Sequence, residues 1–130
     1  MPRQFSLHVV GADFPNRKGG SRRFEILLCA PGEPVDLVPE PRNPADPNAV
    51  AVLSARGVQI GYLSAERAPW IAGMLRAGRD LRAVFQQPTA RGAAIRLALD
   101  GGEPVLPPAP TAPARRDGGD FWPDPISPDD

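Results

Sequence analysis

The hydrophobic positions of this chain follow two periods in succession. Gln4 to Val10 alternates, with Phe5, Leu7 and Val9 on one side and His8 on the other, which predicts a half-buried strand. The apolar run Phe24 to Ala30 predicts a second strand, followed by a tight turn at Pro31-Gly32-Glu33. Val35 and Leu37 predict a third short strand, ended by Pro39 and Pro41. Ala49 to Ser54 and Val58 to Leu63 predict two more, joined by a hairpin turn at Ala55-Arg56-Gly57. The period then changes. Ala68, Ile71, Ala72 and Leu75 fall at helical spacing, with Ser64 as a candidate N-cap and Gly78 as a candidate stop. Pro69 moves the regular start of that helix toward Arg67. Leu81 to Gln86 and Ala94 to Leu99 predict two final strands around a Pro88–Gly92 turn. The expected fold is mostly β, with seven short strands and one main helix forming a small barrel.

Three segments carry no such period. Gly11 to Arg23 is a loop by composition and holds four basic residues, Arg17, Lys18, Arg22 and Arg23. Pro41 to Asn48 places three prolines within seven residues and excludes a regular element. Gly101 to Asp130 has eight prolines in 30 residues and few aliphatic side chains. Such a segment buries too little apolar area to offset its ordering entropy, so a disordered tail is expected. The organisation is therefore one domain over residues 1–100 and a tail over 101–130. Within the tail, Phe121 and Trp122 stand among aspartates, either packing back on the domain or serving as a docking motif for a protein partner.

Charge sharpens this division. The whole chain sums to zero, but residues 1–100 hold 13 Lys/Arg against 9 Asp/Glu, a net of +4, while residues 101–130 hold 2 against 6, a net of −4. A mildly basic domain is compatible with phosphate without requiring it. The single cysteine, Cys29, forms no internal disulfide and reads as an inert buried thiol. No apolar stretch has the length of a membrane span or the form of a signal peptide, so a cytoplasmic protein without membrane contact is expected. Enzyme chemistry finds little support. His8 is the only histidine and has no second His or Cys to share a metal, and neither a nucleophile elbow nor a phosphate-binding P-loop occurs. A non-enzymatic protein without cofactor or metal is expected.

The most specific stretch is EPRNPADPNAVAVLSARGVQIGYL, Glu40 to Leu63. Prolines 44 and 47 stiffen the backbone between Asn43, Asp46 and Asn48, whose side chains can close Asx-turns on nearby amides. A stiff loop of this kind presents polar groups at a strand end with little ordering entropy left to lose on binding. Together with Val10-Gly11 and Phe14, Val35-Asp36-Leu37, and the helix from Ala68 to Gly78, this stretch resembles the HIRAN domain over roughly Phe5 to Leu99.

The resemblance implies an OB-like barrel and a module that binds the 3′ end of single-stranded or damaged DNA. On that reading Asp46 accepts from the 3′-hydroxyl, Asn43 contacts the terminal nucleotide, Phe14 stacks, and Tyr62 edges the pocket. Arg17, Lys18, Arg22, Arg23 and Arg42 are the candidate contacts to the nucleic-acid backbone. Each has a plainer reading too: Asn43 and Asp46 as turn formers, Phe14 as a cover over the barrel end, Tyr62 as barrel wall, the basic loop as solvated surface. Two positions depart from the family pattern. Ala45 stands where an aromatic is frequent, and Asp13 where a basic residue occurs in relatives that bind DNA. These departures, with the acidic aromatic tail, define the alternative: a protein-interaction adaptor that keeps the barrel without the DNA pocket.

Overall fold

The computed structural model describes residues 3–17 and 19–107. Lys18 and the Phe121-Trp122 motif lie outside them. Six strands close into a barrel: β1 (Gln4–Val10), β2 (Pro34–Pro39), β3 (Val50–Leu53), β4 (Gln59–Leu63), β5 (Arg82–Thr89) and β6 (Gly92–Ala98). Their order around the barrel is β1-β4-β3-β2-β5-β6, with every neighbouring pair antiparallel. Closure removes the free edges through which open sheets associate. Two helices accompany the strands, α1 (Arg22–Leu28) and α2 (Ala68–Arg76).

The inward positions of β1 are Leu7 and Val9, as the alternation predicts, while His8 faces solvent. They meet Val50 and Val52 of β3, Ile60 of β4, Phe85 of β5, and Ile95 and Leu97 of β6. Ile26 of α1 and Ile71 of α2 join the same core, each with almost no exposed surface. Burying each such side chain contributes roughly 1.5–3 kcal/mol. No helix among the described residues is long and apolar enough to cross a membrane.

The segment expected as a second strand, Phe24 to Ala30, is instead helix α1 with Cys29 as its C-cap. A continuous apolar run does not distinguish a strand from a short helix, and the local caps decide. Ser21 has extended backbone and its side chain accepts from the Phe24 amide at 3.1 Å. The buried residues of the helix are Arg22, Glu25 and Ile26, spaced at i, i+3 and i+4. The barrel thus has six strands rather than seven, and two helices rather than one. Cys29 is half-buried; its thiol donates to the Glu25 carbonyl at 3.3 Å, and burial raises its pKa.

The expected Pro88–Gly92 turn is tighter than the sequence suggests. β5 runs through Pro88 to Thr89, and Thr89 already pairs with Gly92. Pro88 is tolerated because β2 pairs with β5 only at Ala83 and Val84, so the proline's missing amide costs no ladder bond on that side. Arg67, not Ser64, occupies the N-cap of α2, with Pro69 in the first turn, where no intrahelical amide bond is required. The helix stops at Gly78 (φ 79°), whose amide donates to the Leu75 carbonyl while that of Arg79 donates to the Met74 carbonyl. This pattern is a Schellman cap.

A buried polar cluster ties α1 to the β3–β4 hairpin. Glu25, only 6% exposed, accepts from Ser54 Oγ at 2.7 Å and from Arg56 Nε at 2.6 Å. Ser54 Oγ in turn accepts from the Arg56 and Val58 amides, which fixes the turn. After β6 the chain reverses at Gly101-Gly102 and runs back over β1 and β6. Gln4 bonds the Glu103 carbonyl and the Val105 amide, and Arg96 bonds the Val105 carbonyl. The remainder of the expected tail, residues 108–130, lies outside the described residues.

Candidate functional site

The proline-rich loop between β2 and β3 is held by its own polar side chains. The Glu40 amide donates to the Ala49 carbonyl at 2.9 Å and closes the base of the loop. Asn43 Oδ1 accepts from the amides of Ala45 (2.9 Å) and Asp46 (3.2 Å). Asp46 Oδ1 accepts from the Asn48 amide at 2.8 Å. These are the Asx-turns expected from the sequence, and they leave the loop rigid without help from the core.

Glu40 through Pro44 of this loop form one wall of a cleft of about 870 Å³. The opposite wall is the β1–α1 segment at Asn16, Arg17, Gly19 and Arg22, and the floor comes from the β3–β4 hairpin and Tyr62. Among the described residues, three arginines, Arg17, Arg22 and Arg42, therefore line one space together with a single carboxylate, Glu40. A cleft lined by one predominant sign of charge concentrates the opposite charge within it.

The arginines differ in their commitments. Arg22 is 7% exposed; its Nε donates to Asn16 Oδ1 at 2.8 Å and its Nη1 to the Gly11 carbonyl at 3.0 Å. Its guanidinium carbon lies 5.5 Å from the centre of the Tyr62 ring, a cation–π arrangement. Asn16 passes the linkage on by donating to the Gln59 carbonyl at 3.0 Å. Arg22 thus fixes the wall it belongs to. Arg17 and Arg42 are exposed and make no ion pair among the described residues.

Tyr62 and Asn43 converge on Glu40. Tyr62 Oη donates to Glu40 Oε1 at 2.8 Å, and Asn43 Nδ2 donates to the same oxygen at 3.0 Å. The cleft therefore contains an oriented polar cluster of Tyr62, Asn43 and Glu40 beneath a rim of positive charge. Among the described residues no group of three His, Cys, Asp or Glu side chains is arranged to hold a metal ion.

Of the residues singled out from the sequence, Asn43, Tyr62, Arg17, Arg22 and Arg42 line this one cleft. Asp46, Arg23 and Phe14 do not. Asp46 lies in the same loop with one oxygen turned to the Asn48 amide. Arg23 bonds Asp13 at 2.8 Å and the Ala90 carbonyl at 3.0 Å. Arg23 holds the Asp13 carboxyl below the usual carboxylate range, so the acidic residue noted at that position carries its own counter-charge. Phe14 stands on the turn closed by its amide to the Gly11 carbonyl and is 69% exposed, so it does not cover the barrel end. Glu40, Asn16 and Gln59 were not singled out as site residues. Only Glu40 carried a signal, since a tyrosine at a strand end needs an acceptor for its hydroxyl.

No curated protein matches the chain. The chain is similar in structure to the HIRAN domain of human HLTF, with 24% identity, 74% of each chain covered and a TM-score of 0.60. It is similar also to a structural-genomics protein from Lactobacillus plantarum, with 18% identity, 73% of this chain and 91% of that one covered, and a TM-score of 0.62. These likenesses concern the fold. The HIRAN domain family model matches residues 5–97, which includes all six strands but the outermost residues of the first and last, both helices and the whole proline-rich loop, and the chain therefore belongs to the HIRAN domain family.

Proposed function

We propose that this HIRAN domain, a nucleic-acid-binding module, takes the 3′ end of a single DNA strand into the cleft between Arg17, Arg42 and Tyr62. The observation that carries the reading is the oriented Tyr62–Asn43–Glu40 cluster inside a cleft that three arginines also face. Arginine at the rim suits the phosphodiester backbone, and Lys18 and Arg23 are further candidate contacts from the same basic stretch of sequence. The cluster within offers hydrogen bonds to a terminal sugar, and Asn43 and Asp46 set the loop that presents them. Phe14, exposed on the Arg22 side, is a platform for a base farther along the strand. Ends exposed in DNA damage and its repair would supply such strands, in a cytoplasmic setting. The test is binding of a short single strand with a 3′-hydroxyl against the same strand carrying a 3′-phosphate. The hydroxyl end binds more tightly on this reading, and equal affinity for both rejects it.

One observation favours a second reading, an adaptor that contacts proteins. Helix α1 leaves Phe24, Leu27 and Leu28 to solvent, at i, i+3 and i+4, as one apolar face. With the Phe121-Trp122 motif it would supply a contact surface for a protein partner. Absence of any single-strand binding at low salt, where electrostatic contacts are strongest, would leave the adaptor reading in place of the first.

A further inference from the structure

We infer that the outer face of helix α1, formed by Phe24, Leu27 and Leu28, is the docking site for this chain's own segment 120–124, which binds it through Phe121 and Trp122. Neither proposed function is needed for this contact. Phe24, Leu27 and Leu28 are 62%, 73% and 49% exposed, while Arg22, Glu25 and Ile26 of the same helix are turned to the barrel. Single exposed apolar side chains are ordinary, but a contiguous group of three on one short helix marks a contact surface. Trp70, also partly exposed, is different: it is already stacked on Phe5, with ring centroids 5.0 Å apart, and Arg67 lies over its ring.

Size, reach and charge together select the occupant. Three side chains present roughly a few hundred Å², well short of the ~1,200 Å² that a stable association of separate chains buries. So small a patch holds an occupant that is tethered to it, because a short linker supplies an effective concentration on the order of millimolar. The described chain ends at Pro107, just after Val105 is held against β1 and β6 by Gln4 and Arg96, and α1 itself packs on β4 and β6. Phe121 follows Pro107 by 14 positions. At ~3.3 Å per residue that is a reach of up to about 45 Å. A domain of this size has a radius of gyration of about 13 Å, so the segment can reach α1. Prolines 108, 110 and 113 stiffen the linker and reduce the entropy lost on docking.

The charges are complementary. Asp117, Asp120 and Asp124 flank the aromatic pair, and no basic residue follows Arg116. At the start of α1, Arg23 bonds the Ala90 carbonyl and so brings the β5–β6 turn, with Arg91, beside the helix. Arg23 is balanced by Asp13. Arg91 and Arg17, the latter in the segment that leads into α1, are exposed and make no ion pair among the described residues. Aspartates on both sides of Phe121 and Trp122 then orient the segment, while the apolar side chains supply the burial. A protein partner of either apolar surface must displace the other.

The experiment uses the full chain. In wild type, nuclear Overhauser contacts are expected between the Trp122 indole and the methyl groups of Leu27 and Leu28, with intensities unchanged on dilution. Contacts that vanish on dilution would make a second copy the occupant and overturn the inference, as would contacts from Trp122 to another surface or none at all. Trp70→Phe leaves Trp122 as the only tryptophan, so its emission reports the segment directly. That emission is expected at shorter wavelength than a solvated indole. Leu27→Ser in the same background is expected to move it to the solvated position, and because Leu27 buries little surface in the domain, the fold is kept. Emission already at the solvated position in Trp70→Phe, or emission indifferent to Leu27→Ser, overturns the inference.

Discussion

The Arg22 guanidinium lies over the Tyr62 ring at 5.5 Å while donating to Asn16 and to the Gly11 carbonyl, so one buried cation joins a wall of the cleft to its floor. Arg22→Met keeps much of the apolar stem and removes these donors. Asn16 Oδ1 then remains part-buried without a partner, while the Gly11 carbonyl keeps only the Phe14 amide, a loss of about 1–3 kcal/mol. Urea unfolding should show a lower midpoint with an unchanged slope. Arg22→Lys should recover only part of the loss, because an ammonium does not reproduce the guanidinium fork that spans the two acceptors. A midpoint equal to wild type in Arg22→Met would show that the buried cation does not hold this wall.

Ala45 is exposed at the tip of the proline-rich loop, beside the cleft residues Asn43 and Pro44. Its contribution to the loop is its backbone amide, which donates to Asn43 Oδ1 at 2.9 Å. Ala45→Tyr leaves that bond in place and adds an aromatic face. Stacking on a base contributes about 1–3 kcal/mol, so single-strand affinity should rise roughly tenfold or more. Titration of a labelled oligothymidine checks this at a fixed salt concentration. No gain in affinity would place the strand away from the loop tip.

The sequence carried the proline-rich loop well because its structure is local. Prolines 44 and 47 restrict the backbone, and Asn43 and Asp46 bond amides two or three residues ahead. The strands β1, β3 and β4 were equally legible: β1 alternates inward and outward positions, while β3 and β4 are short apolar runs bounded by turn residues. Phe24 to Ala30 was not legible as a helix. Its exposed apolar side chains Phe24, Leu27 and Leu28 fill the gaps between Arg22, Glu25 and Ile26 and mask the helical period. A buried arginine and a buried glutamate mark that inner face, and their partners Asn16, Ser54 and Arg56 come from elsewhere in the chain. The same reason hid Glu40 as a site residue, because its link to Tyr62 spans 22 positions.

Asp100 closes the barrel's outer side by accepting from both Arg79 and Arg3 at 2.8 Å. The Arg79 hydrogen bond holds its carboxyl below the usual value of 3.8. The Glu33 carboxyl is likewise lowered from 4.5, first by the Ala30 amide and then by Arg56. Both are depressed in the folded state, so their stabilisation is present above the unfolded values and is lost as pH falls through the folded ones. Urea midpoints should stay level from neutral pH to about 5 and fall below about 4, where the unfolded chain takes up protons first. Asp100→Asn should lie below wild type at neutral pH and approach it in acid. A gap between the two curves that stays constant across the whole range would exclude the ion pair as its source.

At Gly61, β4 passes close against β1. A Cβ there would overlap the Val10 carbonyl oxygen and approach Val9 Cγ1 to 2.9 Å. Val10 and Tyr62 are register partners across this contact, so the position of Gly61 sets how the tyrosine enters the floor of the cleft. The obstruction is backbone rather than a movable side-chain end, and the β1–β4 pairing is short, with only Val9–Leu63 and Val10–Tyr62 in register. Gly61→Ala should therefore separate these strands and cost at least the 1–3 kcal/mol typical of overpacking. Gly57→Ala, in the exposed hairpin turn, meets nothing within 4 Å and is strained only through its φ of 79°. Its effect should stay local to the turn. Thermal unfolding and amide exchange at Val10 and Tyr62 compare the two. Loss of exchange protection at both amides is expected in Gly61→Ala alone, and equal protection in the two variants would show that the close approach of β4 to β1 does not depend on the missing side chain.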